Sequence, residues 1–252
     1  VCIFKILYHV ITNKINIIHT HLIQASIIGR FITFLVPGVK CVTTRHYARS
    51  KKDHRFINRL EDYSERYCHA IICISRYVKT HLINKGINQS KLHVIYNGID
   101  IDLFNSVDLD NENDVIIGTI SRLNKQKGVD ILITAFQKVL IKYPKAKLEI
   151  IGAGPQKDRL NQMLVELKMD NNVIFYGKML PVNIKEIIRK WKMLVLSTRM
   201  EGFGLVLIEA NAIGLPVVAT NIDAVPEIIS DGVNGYLAAP DNADDLFAKV
   251  ML

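Results

Sequence analysis

From Val115 onward, short apolar runs alternate with stretches whose apolar residues recur at helical spacing. The runs Val115–Ile120, Lys147–Ile151, Val173–Tyr176, Met193–Ser197, Pro216–Thr220 and Gly235–Ala238 predict strands. Between them, Val129–Tyr143, Lys157–Leu167, Val182–Arg189, Leu205–Ile213 and Ala224–Ile229 predict helices. Nearly continuous apolar strands separated by helices imply a parallel sheet covered on both faces. Together these units make a complete doubly wound domain. The N-terminal part alternates less fully. It predicts strands at Asn16–His21, Val39–Thr44, Ala70–Ile74 and Lys91–Tyr96, and helices at Ile3–Thr12, Ala25–Leu35, Phe56–Tyr67 and Tyr77–Lys85. Ile101–Asp114, rich in Asp and Asn (Asn105, Asn111, Asn113), reads as a linker. The predicted organisation is therefore α/β, with domains at 1–100 and 115–252 joined by 101–114. Two such lobes would place a cleft at the carboxyl ends of their strands.

Composition agrees with this picture. The chain has 252 residues, 49% hydrophobic and 22% charged, enough to bury a core and too apolar for a disordered chain. Its apolar stretches, such as Ser26–Val36 with Arg30 inside it, fall short of the ~18–20 residues that span a bilayer. The four cysteines form no C-x-x-C pair and predict buried thiols in a reducing compartment. The chain starts on Val1 and stops at Val250-Met251-Leu252, which reads as the middle of a helix, so a fragment is expected. The net charge of +8 is concentrated in Lys40–Arg59, where seven Lys/Arg face the single acid Asp53. Such a patch suits an anionic membrane, a phosphorylated substrate or nucleic acid, and taken alone it is more often a solvated face.

The most chemically specific segment is Leu196–Glu209, LSTRMEGFGLVLIE, which leaves a buried strand and enters a helix. Gly202 and Gly204 allow a tight turn and close approach to a ligand. The N–H groups of Leu205, Val206 and Leu207 would then face outward at the positive helix end, a seat for phosphate. Glu201 precedes the helix and Glu209 lies inside it, so both can reach one ligand from different heights.

Glu201 and Glu209, spaced E-x7-E around Gly202-Phe203-Gly204, resemble the retaining glycosyltransferases of the GT-B fold, family 4 in particular. The resemblance extends to NAIGLPVVAT at Asn211–Thr220, VPEIISDGVNGYL at Val225–Leu237, GTISRLNKQKG at Gly118–Gly128 and VIYNGID at Val94–Asp100. It implies two Rossmann-like domains facing a cleft, the first incomplete, with the acceptor on the N-terminal side and the nucleotide-sugar on the C-terminal side. The family's glycine-rich loop in its first βα unit and its final helix have no counterpart here. The resemblance thus implies a chain cut at both ends and poor nucleotide binding by this piece alone.

Site roles follow from the resemblance. Arg122 and Lys127 match the pair that binds the donor diphosphate, Glu209 the residue on the ribose hydroxyls, and Glu201 the one on the donor sugar. His46 matches a histidine near the transferred sugar, and His19 and His21 would line the acceptor side. Read from the residues alone, such strand-end histidines are more often structural than functional, and no carboxylate or thiol stands at zinc-ligand spacing beside them. Gly152-Ala-Gly154-Pro155 occupies the place of a family turn near the nucleotide base. As a dinucleotide fingerprint it fails, because Lys157 stands at the third glycine position. Asp100-Ile-Asp102 and Asp108-Leu-Asp110 spell D-x-D, but both belong to the linker, and neither metal nor cofactor is expected.

The implied activity is transfer of a hexose from a nucleotide-sugar to a saccharide or lipid-linked acceptor, in capsule or lipopolysaccharide synthesis. The location implied is cytoplasmic, peripheral on the inner face of the plasma membrane. Nucleic acid is not an expected partner, since the basic patch has no recognition motif. Two alternatives stand beside this reading: a non-catalytic GT-B-like binding module, and a GT-B sugar-nucleotide epimerase.

Overall fold

The computed structural model describes residues 2–47, 55–103, 109 and 114–252, which form two units dividing between Asn97 and Gly98. In the first unit, β1 (Ile17–His21), β2 (Lys40–Arg45), β3 (Ala70–Cys73) and β4 (Leu92–Val94) form a parallel sheet in the order β1-β2-β3-β4. Helices α1 (Cys2–Thr12), α2 (Ile23–Leu35), α3 (Arg55–Glu65) and α4 (Arg76–Asn84) alternate with the strands. Val10, Ile32 and Val39 are buried together, with Ile6, Leu7, Ile18 and Ile28 packed around them. Gly29 lets α2 lie close on the sheet, since a Cβ there would come within 2.5 Å of Thr20 Cγ2.

The charged stretch Lys40–Arg59 is not a uniform surface patch. Arg45 is 2% exposed and pairs with Glu61 and, at 3.3 Å, with Glu65. The carboxyl half of β2 is buried on both sheet faces, so its cation turns inward and meets the two acids of α3. Arg30 joins them, donating to Ser64 Oγ at 2.8 Å and to the Glu61 carbonyl at 3.3 Å. Residues 48–54 of the stretch lie outside the described residues.

The second unit holds β5 (Ile116–Ile120), β6 (Lys147–Ile151), β7 (Val173–Gly177), β8 (Met193–Leu196), β9 (Val217–Thr220) and β10 (Tyr236–Ala238). All pair in parallel, in the order β7-β6-β5-β8-β9-β10. Numbered within the unit this is 3-2-1-4-5-6, the doubly wound order in which crossovers reverse between the first and fourth strands. Helices α5 (Val129–Lys142), α6 (Lys157–Glu166) and α9 (Ala243–Val250) share one core with Ile117, Leu148 and Val195. Helices α7 (Pro181–Ile188) and α8 (Leu205–Ala212) cover the other face, with Trp191, Leu194 and Val217. Ile116 and Ile117 thus serve opposite cores, as alternation along a strand requires.

One expectation changes. The helix expected over Ala224–Ile229 is only a 3₁₀ turn at Val225–Glu227. The turn closes with the Ile228 and Ile229 N–H groups both donating to Val225 O at 3.0 Å, and the chain turns again at once, the Val233 N–H donating to Ser230 O at 3.0 Å, so the helical ladder stops after one turn. The last helix spans Ala243–Val250, with Asn242 as its N-cap, whose side chain accepts from the Asp245 N–H at 3.0 Å. Among the described residues no helix is long and apolar enough to cross a membrane.

Candidate active site

In a doubly wound sheet the reversal of strand order opens a crevice at the carboxyl ends of the two strands concerned, here β5 and β8. The loop after β5 ends in a 3₁₀ turn, Lys125–Lys127, capped by Asn124, whose Oδ1 accepts from the Lys127 N–H at 3.1 Å. The loop after β8 runs from Ser197 to Gly204. Lys127 Nζ donates to Glu201 Oε2 at 2.6 Å, the two side chains being 14% and 12% exposed. The structure therefore joins two sequence-predicted residues separated by 74 positions.

The glycines at this crevice are spacers between loops. Gly128, at φ +61°, lies under the β8 loop, and a Cβ there would stand 2.0 Å from the Ser197 carbonyl oxygen. Gly152, at φ +142°, and Gly154 lie against the β5 loop, their Cβ positions 1.8 Å from Ser121 O and 2.3 Å from Leu123 O. Leu123 N–H donates to Ala153 O at 3.0 Å, and Gln156 N–H to Leu123 O at 2.9 Å. Packing of the two loops thus accounts for both glycines of the G-A-G-P turn. Ser121 Oγ, where β5 ends, is buried with no hydrogen-bond partner among the described residues. A buried hydroxyl left so is costly unless water or a ligand completes it.

Gly204, at φ +101°, is the N-cap of α8. Phe203 is buried, Gly202 partly so, and Leu205 exposed. The outward phosphate seat is shorter than expected, because the Leu207 N–H donates to Gly204 O at 3.0 Å. The tight first turn takes that donor inward and leaves the seat to Leu205 and Val206, whose N–H groups have no partner one turn back within α8. Glu209 is half-buried inside α8, and no partner meets its carboxylate among the described residues. Burial pushes its pKa above the usual carboxylate value. Arg122 is exposed beside this crevice and is not drawn into the Lys127–Glu201 pair.

In the first unit, the parallel register sets His21 opposite Thr44, one residue from Arg45 and two from His46. His21 Nδ1 and His46 Nε2 share a hydrogen bond of 2.9 Å, and His19 Nε2 meets Thr44 Oγ1 at 2.8 Å. The rings of His19 and His21 stand 4.5 Å apart, and those of His21 and His46 5.2 Å, so the three form a row. Burial, then repulsion by neighbouring imidazoles, holds His19 and His46 below the ordinary histidine pKa. Of the D-x-D segments, Asp100 folds back on the Asp102 N–H at 3.2 Å, whereas Asp108 and Asp110 lie outside the described residues.

Sequence reasoning missed the residues that hold the crevice. Asp223 Oδ2 accepts from the Glu201 N–H at 3.0 Å. Ser197 Oγ donates to Gly128 O at 2.8 Å, and Thr198 Oγ1 donates to Gln126 O at 3.1 Å. Gln126 Nε2 donates to Met200 O at 3.1 Å. Glu149, nearly buried in β6, accepts from Trp191 Nε1 at 2.7 Å and from the Tyr176 hydroxyl at 3.0 Å. The visible signals were Asn124 three residues before Lys127 and a Ser-Thr pair at the end of an apolar strand.

Two parallel-sheet α/β units, the first with its strands in sequential order and the second doubly wound, with an ion pair and a carboxylate that has no partner among the described residues at its switch point, match the architecture of GT-B glycosyltransferases. Residues 101–252 match the family model of glycosyl transferases group 1, and residues 2–103 that of Glycosyltransferase Family 4. The chain belongs to the group 1 glycosyl transferases. A glycosyltransferase of Methanocaldococcus jannaschii is 33% identical over 182 residues, 72% of this chain and 48% of that protein. N-acetyl-alpha-D-glucosaminyl L-malate synthase of Bacillus anthracis is 27% identical over 238 residues, 89% of this chain and 61% of its own length. The crystal structure of Anabaena HepE in complex with UDP and glucose is similar in fold, with a TM-score of 0.86 at 24% identity. That match covers 98% of this chain and 69% of HepE. The chain spans 48%, 65% and 53% of the length of three of the curated relatives it matches.

Proposed function

We propose that the β5/β8 crevice binds the nucleoside diphosphate of a nucleotide-sugar, and that the protein transfers the hexose with retention to a saccharide or lipid-linked acceptor. The observation that carries this reading is the Lys127–Glu201 pair at the switch point, one helical entry away from Glu209, which has no partner among the described residues. Arg122, Lys127 and the N–H groups of Leu205 and Val206 would neutralise the diphosphate and the charge that grows on it as it leaves. Glu209 would accept from the ribose hydroxyls and Glu201 from hydroxyls of the donor sugar. In the transfer, the bond from the anomeric carbon to the phosphate oxygen breaks and a bond to the acceptor oxygen forms on the same face. The acceptor proton passes to the departing phosphate. The chain's contribution is positioning and charge stabilisation, so no side chain needs to act as nucleophile.

HepE, crystallised with UDP and glucose, and a relative named for transfer of N-acetylglucosamine support a hexose-type donor. His19, His21 and His46 would serve as hydrogen-bonding contacts on the acceptor side. With Glu61 and Glu65 turned inward onto Arg45, α3 and the turn after it expose Arg59, Tyr63, Arg66 and Tyr67. Cationic and amphipathic aromatic side chains on one surface suit docking to an anionic leaflet. Donor hydrolysis and transfer by the full-length protein, with Arg122→Ala and Glu209→Ala, test the proposal. Both variants should lose most activity, and unchanged activity in both would reject the site.

A further inference from the structure

Arg199 stands inside the segment that carries Glu201, yet the nucleotide-sugar reading gives it no task. Its guanidinium makes four hydrogen bonds. Nη1 and Nη2 donate to Asp130 Oδ1 and Oδ2 at 2.8 and 3.0 Å, a bidentate pair at the first turn of α5. Nε donates to Asp241 Oδ1 at 2.5 Å, just before α9, and Nη1 also donates to the Lys125 carbonyl at 2.8 Å. The Arg199 backbone N–H donates to Gln126 O at 2.7 Å. One residue thus grips the 3₁₀ turn that ends in Lys127 from two sides, and ties it to the helix that follows. The pairing is strong enough to hold the Asp130 carboxyl below its usual pKa against the opposing effect of burial.

From this geometry we infer that Arg199 is a positioning residue: it locks the Lys125–Lys127 turn against the Ser197–Gly204 loop, so that Lys127 and Glu201 meet the donor together. The inference rests on the nucleotide-sugar reading of the crevice. Its physical basis is the planar fork of arginine, which can hold a carboxylate with two bonds and keep a third donor for another acceptor. Lysine offers one compact charge and cannot fix the turn from several directions. Asp130 follows Gly128, whose left-handed conformation brings the chain directly from the turn into α5. Any freedom at Arg199 therefore passes straight to Lys127.

The test is calorimetric titration of the full-length protein with UDP, or with GDP where UDP gives no heat, for wild type, Lys127→Ala, Arg199→Gln, Arg199→Lys, Asp130→Asn and the Lys127→Ala/Arg199→Gln double variant. Lys127→Ala should weaken binding at least about 10-fold, and Arg199→Gln roughly 3- to 10-fold. Because Arg199 acts through Lys127, the double variant should bind within about 2-fold of Lys127→Ala alone. Arg199→Lys should fall between wild type and Arg199→Gln, and Asp130→Asn should reproduce Arg199→Gln by removing the pair from the other side. Losses that multiply in the double variant would overturn the inference, as would wild-type affinity in both Arg199→Gln and Asp130→Asn while Lys127→Ala is impaired. Wild-type affinity in Lys127→Ala, or no nucleotide binding by wild type, would instead reject the reading of the crevice itself.

Discussion

Glu209→Gln should act in opposite directions on stability and on ligand binding. The Glu209 carboxylate is half-buried in α8 without a partner among the described residues, and burial raises its pKa. A fully buried polar group left unpaired costs roughly 1–3 kcal/mol. The glutamine amide is itself polar and keeps most of that cost, so the variant sheds only the additional penalty of the charge and should stabilise the free protein by about 1 kcal/mol at neutral pH. A raised carboxyl pKa means the folded state resists ionisation. The cost is therefore absent below the unfolded value near 4.5 and develops as pH rises through it. The stability gain of the variant should accordingly vanish in acid. With nucleotide bound, the same carboxylate would accept hydrogen bonds from the ribose. Losing its charge should cost about 1.5–3 kcal/mol of binding, roughly 10- to 150-fold in affinity. Urea unfolding at pH 7 and pH 4, paired with calorimetric titration by UDP, measures both effects. A variant less stable than wild type at neutral pH would mean that the carboxylate has a stabilising partner. Unchanged nucleotide affinity would remove Glu209 from the ribose site.

Three further perturbations follow from the packing. Gly128→Ala places a Cβ 2.0 Å from the Ser197 carbonyl at φ +61°, so it should destabilise the second unit by about 2–3 kcal/mol in urea unfolding. Stability equal to wild type would mean the two loops separate freely. Trp191→Phe removes the donor to Glu149 and leaves a void against Gly118, where a Cβ would meet the indole at 2.0 Å. A loss of about 2–4 kcal/mol is expected, and a loss below 1 kcal/mol would show that Glu149 finds another donor. His19 and His46 have lowered pKa values, so the folded first unit binds fewer protons than the unfolded chain. Their contribution is fully present above about pH 6.5 and is lost as pH falls below it. A double His19→Gln/His46→Gln variant should flatten the decline in thermal midpoint between pH 7 and 5, and an unaltered slope would contradict this.

Strand positions were legible because a parallel strand buried on both faces leaves a short continuous apolar run, as β5, β8 and β9 do. The crevice glycines and the E-x7-E carboxylates were legible as a local pattern at a strand end. What sequence could not disclose depended on distant partners. Arg45 looks like any member of a basic stretch until α3 brings Glu61 and Glu65 onto it. Leu207 looks like a phosphate donor until the Gly204 turn tightens and takes its N–H. Asp223 and Arg199 are ordinary polar residues in sequence. Their importance comes from the pairing of β8 with β5 and β9, which sets loops far apart in the chain side by side. The segment Ala224–Ile229 misled because its apolar spacing is helical, while the turn closed by the Val233 N–H on Ser230 O stops the ladder after one turn.

The most direct measurement is a crystal structure of the full-length protein with the nucleoside diphosphate it binds most tightly. The diphosphate should lie within hydrogen-bonding reach of Lys127 Nζ and the N–H groups of Leu205 and Val206, with the ribose hydroxyls on Glu209. A nucleotide bound away from the ends of β5 and β8, or one leaving both Lys127 and Glu209 untouched, would contradict the account.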